Sequence, residues 1–582
     1  MLSQCHSGSP EGGSPADRRV QPSRTRVFRN DWTALVPPEP ASWRPELAVS
    51  VVVPAFPGDR LELTLAALSV QTYPAHLLDV VVVAPQGLRL PLSGEMLPDR
   101  LHVERAPAHA GPARARAAGA RAASGEVVCW LDAGTLVDPF FVEVHARWHH
   151  LRPECVTFAD LLRARRAPDG PTGAGALAMS GGMVDELGAD GASPPRDALL
   201  EATADLAEAA EDGYRAFTSA ATAVRRTLYE GIGGPETKDD HELGRRLWHA
   251  GALFVPDRDA PAWRTGAQGG GRAAPWSDPG RTGGRGTAQP LVRAVIDVEG
   301  APYDMVRACV DRLLDGTESD LDVALAADWD AREEPGGDPM DLRLLQAAYL
   351  TDPRVGFTAR PPGTGFPAPF VLRLPVVWGV APDTLAVMVA RAERARAGLV
   401  ELIPDPGGGN DAGVRLWRTR ALLRGMRDRR EEEGLAEAVE SVYGRYRIQC
   451  GPGALTDLTD PEARRYRSAV PRAKPAAVPQ PAPPGDTGQP AGRGRPARGR
   501  GPRPARRRRA AGAPNSGGRP RSPAGTGLRP RGSAPPACAR CRRGRFRRGA
   551  AGPGRGRKPA SPGRWGKTTT GWGGRSRPAA RS

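Results

Sequence analysis

The sequence predicts an α/β fold, a mostly parallel sheet covered by helices on both faces and followed by a second, smaller α/β domain. Three observations carry that expectation. Two β-branched runs, Val49-Ser50-Val51-Val52-Val53-Pro54 and Asp79-Val80-Val81-Val82-Val83, flank an amphipathic stretch around Leu61, Leu65, Ala66 and Leu68, which is the spacing of a βαβ unit. The runs are nearly continuous in apolar residues, as strands buried on both faces require. The pattern then restarts. Val292-Arg293-Ala294-Val295-Ile296 precedes a helical stretch from Met305 to Leu314 and then Leu321-Asp322-Val323-Ala324-Leu325, so that Val49 to Val292 and Val80 to Val323 are both offsets of 243 residues. Equal spacing points to duplicated domains.

The elements follow in order. Residues 1–45, rich in Ser, Pro, Gly and Arg, read as a flexible N-terminal arm with a docked end near Trp43. The first domain is expected over 46–265. It continues with a strand at Leu101-His102-Val103, an Ala/Arg helix from Ala113 to Ala123, and a strand from Glu126 to Leu131 that ends at Asp132. Residues 266–290 are a Gly-rich linker, and 291–460 are the second domain. From 461 to 582 Pro, Gly, Ala and Arg dominate, the composition of a disordered tail.

Charge is divided as sharply as texture. The 582 residues carry 82 basic and 65 acidic side chains, a net of +17. Beyond residue 470 there are 29 basic residues and a single acid, Asp486, so the body is itself acidic by 11 charges. No apolar run reaches the ~18–20 residues that span a bilayer; Phe370 to Ala390 is interrupted by Arg373, Pro375, Pro382 and Asp383. Arg18-Arg19 precedes no apolar stretch, so no export signal is expected. Seven scattered cysteines suit a reducing compartment, and Cys538-x-x-Cys541 has metal-like spacing without a second pair. The expectation is a cytoplasmic protein. Arg506 to Arg509 and the arginines from Arg540 to Arg548 suit phosphates on nucleic acid or anionic lipid. The alternatives are a solvated tail without a ligand, and out-of-frame text from a GC-rich gene.

In an open parallel sheet, ligands bind beyond the carboxyl ends of the strands. The residues there are Pro54-Ala55-Phe56, Ala84-Pro85-Gln86 and Asp132-Ala133-Gly134. Asp132 either caps the following turn or holds a divalent ion that bridges a diphosphate. Farther on, Asp239, Asp240 and Glu242 crowd a helix N-terminus, where the dipole favours anions. One of the aspartates is an N-cap, or one faces the cleft as a general base. His145 and His149, at i and i+4, lack an evident third ligand, so packing is expected rather than metal binding. Trp248 and His249 read as core and rim.

These residues, in order, carry a resemblance. Residues 46–265 resemble a family 2 glycosyltransferase of the GT-A fold, a class of inverting enzymes that use nucleotide-sugar donors. The resemblance is to the actinobacterial type, with a degenerate second GT-A-like half. Val49 to Phe56 is similar to the opening strand, and Leu65-x-x-Leu68-x-x-Gln71-Thr72-Tyr73-Pro74 to the first helix and its end. Gly111 to Arg116, with Gly119 and Ala122 to Glu126, resembles the helix before the metal strand. Trp130 to Gly134 falls at the Asp-x-Asp motif. Phe217 to Arg226, Gly233-Gly234 and Asp239 to Leu247 resemble the acceptor-side motif.

The resemblance implies a GT-A nucleotide-diphospho-sugar transferase fold, Rossmann-like and mostly parallel. It implies transfer with inversion to a glycan or lipid-linked acceptor, in cell-envelope polysaccharide synthesis, at the inner face of the membrane. Asp240 would be the base. Pro54, Ala55, Phe56, Asp132 and Arg264 would contact the donor, and Asp132 would hold Mg²⁺ or Mn²⁺ at the departing diphosphate. Three positions depart from the pattern. Ala84-Pro85-Gln86-Gly87 replaces an Asp-Asp-x-Ser end, Gly134 replaces the second acid of Asp-x-Asp, and Arg264 follows Ala262-Trp263 where relatives carry a late His. Arg264 offers a cation against the diphosphate. The second half lacks both acidic motifs, has Asp297 where Pro54 stands, and resembles the Arg225-Arg226 region only faintly at Arg415 to Arg420. It reads as a domain that packs against the first or holds acceptor. Two rival functions remain open: a non-catalytic relative that binds a nucleotide sugar or partner enzyme, and nucleic-acid binding through the tail.

Overall fold

The β-branched runs form the centre of a nine-stranded sheet in a computed structural model, which describes residues 19–94, 96–191, 194–265, 289–329, 339–403, 413–451 and 453–466. Its strands are β1 (Val49–Pro54), β2 (Leu78–Pro85), β3 (Leu101–Ala106), β4 (Val127–Leu131), β5 (Thr135–Val137), β6 (Cys155–Ala164), β7 (Ala189–Gly191), β8 (Ala221–Arg225) and β9 (Leu253–Arg264). The helices are α1 (Leu61–Ser69), α2 (Pro112–Ala122), α3 (Phe141–Leu151), α4 (Gly170–Ser180), α5 (Met183–Leu187), α6 (Pro194–Ala202), α7 (Arg226–Gly231) and α8 (Asp240–His249). In space the order is β3-β2-β1-β4-β8-β6-β9-β5, with β7 on β6. Strands β1 to β4 are parallel, and β8 lies antiparallel between β4 and β6.

The near-continuous apolar runs have a direct explanation. Val51, Val53, Val80 and Val82 enter one core with Leu65 of α1 and Val144 of α3. Val52, Val81, Val83 and Trp130 enter the opposite core with Leu243, Leu247 and Trp248 of α8. Both faces of each strand are buried, and the polar residue on each, Ser50 and Asp79, bonds the other, the Ser50 hydroxyl donating to Asp79 Oδ1 at 2.5 Å. Helix α2 lies very close to the second face. A Cβ on Gly119 would come within 2.2 Å of Val52 Cγ1 and 2.8 Å of Val83 Cγ2, so only glycine permits this approach.

The second half repeats the plan. Strands β10 (Val292–Asp297), β11 (Leu321–Ala326), β12 (Val355–Thr358), β13 (Phe370–Arg373), β15 (Leu399–Ile403), β16 (Arg415–Arg418) and β17 (Arg445–Gln449) form a sheet ordered β12-β11-β10-β13-β16-β15-β17. β14 (Trp378–Val380) and β18 (Leu455–Asp457) pair separately. The helices are α9 (Tyr303–Leu314), α10 (Pro339–Tyr349), α11 (Thr384–Ala395), α12 (Thr419–Asp428) and α13 (Leu435–Tyr443). Val49 sits opposite Leu78 and Val127, while Val292 sits opposite Leu321 and Phe370. Every partner is displaced by the one offset that separates Val49 from Val292. The antiparallel strand is also matched: Val127 faces Arg225 as Phe370 faces Arg418. The halves diverge between those points. The chain from Val156 to its partner Val224 is several times longer than the chain from Leu399 to its partner Trp417. The longer stretch carries α4 to α6 and ends near Ser219.

Helix α12 grips the first half through arginines. Arg420 is fully buried. Its Nη1 donates to the carbonyls of Trp248 (2.8 Å) and Ala252 (2.6 Å), its Nε to the Tyr443 hydroxyl (2.7 Å) and its Nη2 to Asn30 Oδ1 (3.0 Å). The guanidinium carbon also lies 3.7 Å over the Trp248 ring. Arg427 donates to the carbonyls of Ala250 (2.5 Å) and Gly251 (3.1 Å). These carbonyls belong to the last turn of α8 and the residues just past it, the end where a helix leaves acceptors unpaired and its dipole is negative. Cationic donors from another helix satisfy it. His249 is accordingly buried beside Trp248; it is not a rim residue, because α12 covers that end.

The segment 19–45 is docked over more than its Trp43 end. Val27, Leu35 and Trp43 are buried. Asn30 donates to the carbonyls of Leu206 (3.0 Å) and Phe254 (2.8 Å) and accepts from the Phe254 amide (3.0 Å). Arg26 pairs with Glu433 at 2.8 Å. His145 and His149 are buried in α3, and His145 Nδ1 lies 2.7 Å from Thr157 Oγ1. Cys538, Cys541 and the arginine runs lie outside the described residues.

Candidate functional site

Four elements meet beyond the carboxyl ends of β1 and β4. Register places Val52 opposite Trp130, so Pro54 stands level with Asp132. The chain leaves β4 in a tight turn in which the Thr135 amide bonds the Asp132 carbonyl at 3.2 Å. Gly134 there has φ +81°, in the region that favours glycine. Its carbonyl accepts the Thr265 amide (2.9 Å) and hydroxyl (2.7 Å). The backbone of the turn, not a second carboxylate, occupies the place of the second acid.

Asp132 is held by two guanidinium groups. Arg116 Nη2 donates to Oδ1 at 2.9 Å, and Arg264 Nη2 donates to Oδ2 at 2.7 Å. Arg116 lies on α2, about one turn before Gly119, so the close packing of that helix aims it at the strand ends. Arg264 is the last residue of β9 and pairs across the sheet with Thr135. Arg116 also reaches the second acid, with Nη1 3.4 Å from Asp240 Oδ1. Burial works against the charge on Arg116, yet Asp240 and Asp132 outweigh it and hold the group above its ordinary value.

The acid cluster at the start of α8 divides its labour. Asp239 is the N-cap, accepting the Glu242 amide at 2.8 Å. Glu242 pairs with Arg246 at 2.7 Å. Asp240 turns toward the cleft, where it accepts from the Ser219 amide (2.9 Å) and hydroxyl (2.5 Å). Its side chain is 34% exposed, against 20% for Asp132, 14% for Arg116 and 34% for Arg264. The two carboxylates therefore share one guanidinium and open to solvent together. A small cleft beside them is lined by Arg116, Trp130, Ser219, Tyr229, Asp240 and Leu243. A larger cavity of about 300 Å³ lies along α2 among Ala106, Ala110, Arg114, Ala117, Arg121 and Pro235, and neither Asp132 nor Asp240 lines it.

Pro54, Ala55 and Phe56 end β1 at the same level. Pro54 and Ala55 are buried and extend the ladder, the Ala55 amide bonding the Val83 carbonyl at 2.8 Å. Half-buried Phe56 gives its amide to Asp59 Oδ2 at 2.8 Å. Burial raises the Asp59 carboxyl above its usual range, that Phe56 bond opposes the shift, and nearby Asp132 adds to it. Asp59, Arg116 and Ser219 are the residues that sequence reasoning did not assign. Asp59 had a signal, an acid in the loop after a strand end. Arg116 lay inside a motif without a role, and Ser219 had none.

A divalent ion is what the resemblance implies at Asp132. The residues present do not fit one. Both carboxylate oxygens are taken by guanidinium groups, position 134 supplies no side chain, and no group of three His, Cys, Asp or Glu able to hold a metal occurs among the described residues. Nor is any helix among the described residues long and apolar enough to cross a membrane.

No protein-family model matches the chain, and no curated protein matches it. Solved structures do. The chain is similar to a mannosyltransferase of Pyrobaculum calidifontis solved with GDP-Man and Mn²⁺, at 19% identity and TM-score 0.27, over 39% of this chain and 59% of that one. It is similar to GalNAc-T7 solved with UDP, GalNAc and Mn²⁺, at 15% identity and TM-score 0.27, over 39% of this chain and 46% of that one. TarS 1-349 of S. aureus, solved with UDP-GlcNAc, matches at 15% identity and TM-score 0.27, over 38% of this chain and 59% of that one. The chain spans less than two thirds of the length of each.

Proposed function

We propose that this protein transfers a sugar from a nucleotide-sugar donor to a glycan or lipid-linked acceptor, with inversion. Residues 46–265 would be the GT-A domain and 291–460 its degenerate counterpart. One observation carries the reading. Asp132 and Asp240, distant in the chain, meet on the two arms of Arg116 beyond the carboxyl ends of parallel strands, where such sheets bind ligands. The donor diphosphate would lie toward Asp132 and Arg264, over Pro54, Ala55 and Phe56. Asp240 takes the proton of an acceptor hydroxyl as its oxygen bonds the anomeric carbon from the face opposite the leaving group. The bond from that carbon to the diphosphate oxygen breaks, and the electron pair departs with the nucleoside diphosphate. Ser219 fixes the carboxylate for this task, and the exposed part of Asp240 leaves room for the hydroxyl. A lipid-linked acceptor would bring the protein to the inner membrane face as a peripheral component.

The experiment is calorimetry of the full chain with UDP-, GDP- and dTDP-sugars, followed by mass spectrometry for release of nucleoside diphosphate with glycan and lipid-linked acceptors supplied, repeated on Asp240→Asn. Donor binding should persist in the variant while release of nucleoside diphosphate falls about 10²- to 10⁴-fold. Equal turnover in both proteins would sink the assignment of the base. A non-catalytic reading, in which the cleft binds a nucleotide sugar or a partner enzyme, is favoured by the glycine at 134. It predicts donor binding without turnover in the parent chain. Nucleic-acid binding rests on the tail, outside the described residues.

A further inference from the structure

We infer that Arg116 and Arg264 stand in for the divalent cation, so that this cleft binds the diphosphate of a nucleotide sugar without metal. The inference rests on the donor-binding reading above and adds the chemistry of recognition.

Charge at Asp132 is the starting point. A divalent ion there needs carboxylate oxygens free to face it. Here each oxygen already accepts a guanidinium N–H, at 2.9 and 2.7 Å. An entering ion would compete with both groups for those oxygens and would lie beside two positive charges. The second ligand position cannot simply be refilled, because Gly134 at φ +81° is tied by its carbonyl to Thr265, and a side chain there is strained.

The two arginines are instead arranged as a ready cationic pair. They arrive from different elements, α2 and the end of β9, and converge on one carboxylate. Arg116 is only 14% exposed and is kept charged by Asp240 and Asp132 against the pull of burial. Its buried Nε has no hydrogen-bond partner among the described residues. Arg264 is 34% exposed and open to ligand. Guanidinium forks match phosphate oxygens bidentately and cannot be deprotonated at working pH. In this arrangement Asp132 is the internal counter-ion that holds the pair in place until the diphosphate arrives. A metal ligand and a counter-ion respond in opposite ways to loss of charge, which makes the distinction testable.

The test is calorimetric titration of the full chain with UDP-, GDP- and dTDP-sugars in EDTA and again in Mn²⁺, with Asp132→Asn, Arg264→Gln and Arg264→Lys alongside. The donor that binds should do so with Kd values within about threefold in the two buffers. Asp132→Asn should tighten binding about threefold to tenfold, since it releases both guanidinium groups. Arg264→Gln should weaken it about 10- to 100-fold, with partial recovery in Arg264→Lys. Binding that appears only with Mn²⁺, or that disappears in Asp132→Asn while the variant melts as the parent does, overturns the inference and leaves the donor-binding reading standing. Failure of every donor in both buffers overturns both.

Discussion

Replacing Arg420 by alanine should cost about 3–5 kcal/mol of unfolding free energy. The side chain makes four hydrogen bonds, to the carbonyls of Trp248 and Ala252, the Tyr443 hydroxyl and Asn30 Oδ1, at 2.6 to 3.0 Å. Bonds from a charged donor contribute about 1.5–3 kcal/mol each, and they do not add when one group makes them all. Alanine also strips the cation from the Trp248 face, where the guanidinium carbon sits at 3.7 Å, a contact of about 2 kcal/mol when desolvated. Water entering the vacated space recovers part of this, which sets the lower end of the range. Arg420→Met separates the contributions, because it keeps apolar contact with Trp248 but restores no donor. It should recover less than half of the loss. Urea unfolding followed by tryptophan fluorescence and far-ultraviolet dichroism reads both variants by linear extrapolation. A loss below about 1 kcal/mol for alanine, or full recovery with methionine, would refute the claim that the bonds to Trp248, Ala252 and Asn30 join the halves. The effect should extend to chemistry. Helix α8 spans roughly 15 Å from the gripped end to Asp240, so Arg420→Ala should lower turnover more than donor affinity.

Three further expectations concern the frame and the site. Gly119→Ala forces a methyl to within 2.2 Å of Val52; it should destabilise by about 1–3 kcal/mol and, by lifting α2, weaken nucleotide binding through Arg116, whereas an unchanged melting curve would contradict the packing. Asn30→Ala and Arg420→Ala should be markedly sub-additive in a double-mutant cycle, because they share a bond; simple additivity would show that the N-terminal segment and α12 are not coupled. Acid should destabilise the fold early. Burial holds His145 at about 4, His249 at about 3 and His149 well below the ordinary 6.5. The unfolded chain binds protons that the native one refuses, so this stability is complete above about pH 6.5 and falls toward those folded values, by about 1.4 kcal/mol per pH unit per histidine. Urea midpoints that stay level from pH 7 to pH 5 would contradict it.

What the sequence showed depended on range. β1 was legible to its end residues because four valines in five positions stop at a proline, and the constant offset between the two halves survived as strand register at β10, β11 and β13. The histidines of α3 are buried, His145 against the Thr157 hydroxyl, and their spacing on one apolar helix face is enough to expect that. His249 was misread because the covering came from α12, in the other half of the chain, and nothing local announces that. The same holds for the site. Asp132 and Asp240 stood out at a strand end and a helix start, but Arg116 looked like any arginine on an alanine-rich helix. Only the close approach that Gly119 allows turns it toward both acids. Ser219 was hidden more completely, since a loop serine carries no pattern until the fold brings it to Asp240.

A crystal structure of the full chain with its bound nucleotide sugar tests the central claim most directly. Diphosphate oxygens are expected within hydrogen-bond distance of Arg116 and Arg264, with the anomeric carbon directed at the open side of Asp240. A donor lodged elsewhere, or a diphosphate out of reach of both guanidinium groups with the sugar turned from Asp240, would contradict it.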